Sequence, residues 1–184
     1  MLVKCMIIMF PFVFTNSLFG YGQPTYKTVE GHIVMIGEVD QKRVVAESHK
    51  LYIQLDYKTK EVLGRLDLKS LDIGIDSLNK WIKDREEPLL VSFSGVIPVE
   101  DFISQSHSPV KFKWPVRVEV ANGNYDMMLD AVLTHFNGGG SYACLLSASG
   151  NMMVYQLSLG DKVRKLTEQL RVQFTQVILR KNKL

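Results

Sequence analysis

From Val110 to Val120 apolar side chains take the even positions and mostly charged ones the odd. That period of two marks a strand with one dry and one wet face. Ala121-Asn122-Gly123-Asn124 follows, and the Asn122-Gly123 pair supplies the positive φ angles of a tight hairpin turn. The chain returns through Tyr125 to Leu133 with the odd positions apolar and Asp126 and Asp130 facing out. Pro115 has no N–H for a ladder, so it predicts an edge, a bulge or a strong bend.

The same pattern recurs on both sides of this hairpin. Tyr26 to Glu38 reads as a first strand carrying Val29, Ile33 and Val34, and a turn at Asp40-Gln41-Lys42 leads into Val44 to His49. Leu51, Ile53, Leu55 and Tyr57 then alternate with Tyr52, Gln54 and Asp56. After a turn at Lys58-Thr59-Lys60, Val62, Gly64, Leu66 and Leu68 continue antiparallel. The alternation breaks at Asp76 to Arg85, where Leu78, Trp81 and Ile82 fall at helical spacing and Asp76 or Ser77 is the expected cap. Leu89 to Ile97 resumes as a strand that Pro98 ends, and Val99 to Pro109 is a long connection. Beyond the central hairpin, Tyr142 to Ala148, Met152 to Leu159 and Leu170 to Leu179 read as three more strands, before a solvated basic tail. About eight antiparallel strands with one helix predict an all-β, up-and-down, lipocalin-like barrel, whose closure removes exposed edges.

The first 22 residues do not belong to that pattern. Lys4, the apolar run Cys5 to Phe14 and small residues at Gly20 and Gly22 make the three-part layout of a secretory signal peptide cleaved after Gly22. The expectation is a signal peptide over 1–22 and one domain over 23–184, exported to a periplasmic or extracellular space. The apolar run is too short to span a membrane comfortably, so no integral membrane segment is expected in the mature chain. Its removal leaves Cys144 as the only cysteine, read as a small buried hydrophobe because no basic residue or His lies near it in sequence. With 22 basic and 19 acidic residues the net charge is only +3, which gives no reason to expect a nucleic acid partner.

Catalytic and metal chemistry find little support. His32, His49, His107 and His135 form no pair at ligand spacing, so neither a metal nor a cofactor is expected. Ser106-His107-Ser108 lacks a nucleophile elbow, and Gly138-Gly139-Gly140 is followed by no phosphate-binding helix. Glu100 with Asp101, and Asp84 with Glu86 and Glu87, read as solvated charge rather than acid–base machinery. The chain is expected not to be an enzyme.

Several segments resemble the YceI-like family of exported lipocalin-type barrels. Ser48 to Asp56 followed by Gly64 to Leu71 is similar to that family's paired strands ahead of a short helix. Phe102 to Phe112 is similar to its aromatic-led loop and proline before a strand with a central Phe, and Asn122 to Tyr125 to its next turn. The resemblance implies an interior that holds a long isoprenoid or other lipid chain. Pocket candidates on the inward face are Leu51, Ile53, Leu55, Phe93, Phe112, Trp114, Val116 and Leu129. The other reading is an envelope interaction module with a filled barrel. The volume inside the barrel separates the two; the oligomeric state stays open.

Overall fold

The computed structural model describes residues 25–99, 108–120, 123–138, 141–157, 159 and 168–181. The signal-peptide segment, Glu100, Asp101, Ser106, His107, Asn182 and Lys183 lie outside them, while Arg180 and Lys181, expected in a solvated tail, instead continue the last strand. In chain order, β1 (Thr25–Val39) and β2 (Lys42–Asp56) form a long hairpin, followed by β3 (Glu61–Asp67). A 3₁₀ turn (Leu68–Ser70), a two-residue β4 (Asp72–Ile73) and helix α1 (Asp76–Lys83) lead to β5 (Leu90–Val96). Then come β6 (Val110–Val120), β7 (Gly123–Gly138), β8 (Ser141–Met153), a 3₁₀ turn (Val154–Leu157) and β9 (Gln169–Lys181).

Neighbouring strands run β1-β9-β8-β7-β6-β5-β3-β2, and β1 also pairs with β2, so the sheet closes on itself. The result is an eight-stranded antiparallel barrel with β4 attached to the outer half of β2. Closure leaves the ring without a free edge. Its inward side chains form one core that includes Ile33, Leu51, Ile53, Leu55, Trp114, Leu133, Leu146 and Leu179.

Irregularities appear where the pattern meets a packing demand. In β1 the register shifts on both sides of Gly31, where a Cβ would come within 2.8 Å of the Leu51 carbonyl oxygen. The shift moves the inward positions from Tyr26 to Ile33 and Met35, and leaves Val29 60% exposed. Pro115 lies in β6 just past the point where pairing with β5 stops, at Ser94 opposite Arg117. It therefore stands at a local edge, and Gly95 packs against the Pro115 carbonyl there.

Three local expectations are corrected. Gly123 is already in β7 and pairs with Val120, so the hairpin connection is 121–122, a step before the Asn122-Gly123 pair. The N-cap of α1 is Ile75, with no side-chain cap bond. Instead Asn79 Oδ1 accepts from the Ile73 N–H at 3.3 Å and Asn79 Nδ2 donates to Asp72 at 3.2 Å, which ties the helix to β4. Met152 to Leu159 is not a separate strand: Met152 and Met153 end β8, and 154–157 is a 3₁₀ turn. Val154 and Leu157, three apart, are its buried residues, as three residues per turn requires.

Candidate functional site

The two ends of the barrel differ in chemistry. At the end of the β1–β2 hairpin, α1 lays Ile82 and Leu78 over a small apolar space whose walls include Met35, Val44, Leu71, Leu157 and Leu170. That space has about 50 Å³ of free volume. Deeper in the barrel a second space of about 40 Å³ lies among Met35, Phe93, Tyr125, Met127, Leu157 and Phe174. Met35 and Leu157 line both. No helix in the described residues is long and apolar enough to cross a membrane.

Of the eight residues expected to line a pocket, Leu51, Phe93, Val116 and Leu129 border the deeper space. Ile53, Leu55 and Trp114 are wholly buried elsewhere in the core, and Phe112 is only partly buried against it. Phe93 is held by a vacancy on the next strand: a Cβ on Gly64 would land on its ring. The same ring stacks on Phe174 at 5.1 Å and meets Trp114 edge-on at 6.1 Å. Two interior polar atoms, Trp114 Nε1 and Tyr125 Oη, have no hydrogen-bond partner among the described residues. Met35, Tyr125, Met152, Leu157 and Phe174 were not among the expected lining residues. Period-two parity on β1, β7 and β9 points Met35, Tyr125 and Phe174 inward, whereas Leu157 sits on a turn that parity does not describe.

The opposite end carries a buried polar cluster. His135 stands opposite Cys144 on β7 and β8. His135 Nε2 and Tyr57 Oη share a hydrogen bond of 2.5 Å, and the Tyr57 ring packs on Tyr26 at 4.3 Å. Burial pushes the Cys144 thiol up to about 12, against a smaller opposing effect of the Tyr57 hydroxyl. Burial also raises Tyr57, with the neighbouring Cys144 adding to it. Strand pairing thus brings a histidine to Cys144 that local sequence does not show, and the thiol is nonetheless held neutral.

The remaining candidates lie outside this interior. His32 Nδ1 and Thr175 Oγ1 are 2.7 Å apart, and the His32 ring stacks on His49 at 4.3 Å. Among the described residues no group of three or more His, Cys, Asp or Glu is placed to hold a metal ion. Asp84 pairs with Lys80 at 3.0 Å, while Glu86, Glu87 and Ser108 are exposed.

No protein-family model matches the sequence, and no curated protein matches it. Solved structures do share its shape. A polyisoprenoid-binding domain from Saccharophagus degradans, implicated in plant cell wall breakdown, aligns with a TM-score of 0.65 at 9% identity. The match covers 87% of this chain and 98% of that one. BcnA from Burkholderia cenocepacia aligns with a TM-score of 0.54 at 9% identity, over 81% of this chain and 94% of that one. At such identity the likeness is one of fold: this chain is built as those barrels are.

Proposed function

We propose that the protein is an exported, non-catalytic barrel that binds one apolar chain, an isoprenoid or another lipid, in the space running from under α1 into the interior. The observation that carries this reading is the pair of apolar spaces sharing Met35 and Leu157 as common wall. The fold likeness to a polyisoprenoid-binding domain supports it.

Volume sets a condition on the mechanism. Spaces of about 50 and 40 Å³ each have room for a few waters, one water needing about 10–15 Å³. Small-molecule pockets usually run from about 300 Å³ upward. A chain therefore enters only if side chains make way. Met35, Met127 and Met152 border the deeper space, and unbranched methionines re-pack at low cost. Helix α1 is held over the outer space by a modest apolar stripe and its tie to β4, so it is the element to lift. Each methylene that then leaves water contributes about 0.8 kcal/mol.

The small free volume favours a second reading, a filled barrel whose outer surface meets another protein. Titration with a fluorescent polyene fatty acid separates the two. The binding reading expects saturable one-to-one uptake, abolished in Leu157→Trp, where an indole blocks the passage between the spaces. Absence of uptake by the folded protein sinks this reading and leaves the filled barrel.

A further inference from the structure

A groove of about 510 Å³ lies on the outer wall of the barrel, far larger than either interior space. Its floor and lips include Tyr52, Leu63, Arg65, Ser92, Ser94 and Glu119. Strand register explains the arrangement. Tyr52 stands opposite Arg65, Arg65 opposite Ser92 and Ser92 opposite Glu119, so the four form one rung across β2, β3, β5 and β6. Gln54, Leu63 and Ser94 form the next rung.

Outward positions of β5 read Leu90, Ser92, Ser94 and Val96, two short side chains between two larger ones. Leu63, Leu90 and Val96 are 42%, 45% and 54% exposed, so apolar surface borders the hydroxyl-lined floor. Arg65 and Glu119 stand on opposite lips, two strand spacings or about 10 Å apart at the backbone. Arg117 stands opposite Ser94 at the end of the second rung and pairs with Asp126, and farther along Lys113 pairs with Asp130. No ion pair or hydrogen bond among the described residues engages the side chains of Arg65, Glu119, Ser92 or Ser94.

We propose that this groove is a second binding site, for a short peptide with free termini and an apolar side chain. A carboxylate matches the forked donors of Arg65, with the serine hydroxyls as further donors. An ammonium group matches Glu119, and the apolar side chain covers Leu63. One positive and one negative lip favour a zwitterion over an anion or a cation, since either would leave one charge facing its like. The groove shares only Phe93 with the deeper interior space, so this site stands apart from the apolar-chain reading.

Titration of the ¹⁵N-labelled protein with the dipeptide Leu-Leu, followed by amide chemical shifts, tests it. Saturable shifts are expected at Leu63, Arg65, Ser92, Ser94 and Glu119. N-acetyl-Leu-Leu and Leu-Leu amide should each bind at least about tenfold more weakly. Arg65→Gln should weaken the free dipeptide to the level of the amide, and Glu119→Gln to that of the acetylated form. Both residues are exposed, and an otherwise unchanged spectrum shows that the variants fold. No saturable shift, equal binding of the blocked dipeptides, variants that bind as the parent does, or tighter binding of cellobiose at these amides would each overturn the proposal.

Discussion

Cys144 shows how far a residue's chemistry depends on what the fold lays beside it. It is fully buried on β8, with His135 opposite it and the Tyr57 hydroxyl nearby. A histidine next to a thiol can make a nucleophile, but here burial dominates and pushes the thiol from 9.0 up to about 12. The folded state therefore keeps its proton at pH values where an unfolded chain has released it. The sign follows: this contribution to stability is full below pH 9.0 and is lost as pH rises toward 12. Urea unfolding between pH 9.0 and 10.0 should show stability falling by up to about 1.4 kcal/mol per pH unit. Cys144→Ala should flatten that slope, whereas above pH 10.0 Tyr57 and Tyr125, both raised by burial, add losses of their own that the variant keeps. An unchanged slope in the variant would mean that Cys144 is not the group being titrated. The sequence pointed to an inert buried cysteine but not to its neighbours, because cross-strand partners depend on register that no local window contains.

At the level of elements, legibility followed periodicity. Long alternating runs such as Val110–Val120 and Leu51–Leu55 were placed correctly, since only one face of each can be buried without exposing the core. The helix was legible from Leu78, Trp81 and Ile82, though its anchoring by Asn79 was not, because that bond depends on where β4 lies. Met152 to Leu159 misled because a short apolar run fits a strand or a 3₁₀ turn equally well. The β1–β2 turn was legible at Asp40-Gln41-Lys42 and lies at Asp40-Gln41, but its conformation was not. Asp40 and Gln41 both take positive φ, 49° and 63°, a conformation usually filled by Asn-Gly. Gln41 bears the Cβ strain of that region, about 1 kcal/mol. Gln41→Gly should thus raise stability by about 0.5–1 kcal/mol, read as a higher urea midpoint at unchanged slope. A lower midpoint would mean that the turn does not set the strain in this hairpin.

For the whole molecule, closure and filling are separate questions. Closure was legible, since regular strands with one buried face and tight connections have few other ways to hide their edges. Filling was not, because it depends on how side chains from opposite walls meet. Phe93 fits the vacancy at Gly64, and Trp114 abuts Gly95. Between them and α1 the interior keeps two narrow apolar spaces that share Met35 and Leu157 as walls. The central claim is that these open into a berth for one apolar chain. Native mass spectrometry of the protein purified from its own host, followed by organic extraction, tests it most directly. The account predicts a folded protein carrying one apolar molecule, recovered in the extract at equal stoichiometry and absent from Leu157→Trp. A bare mass, with nothing apolar in the extract, would contradict it and leave a filled barrel that acts through its outer surface.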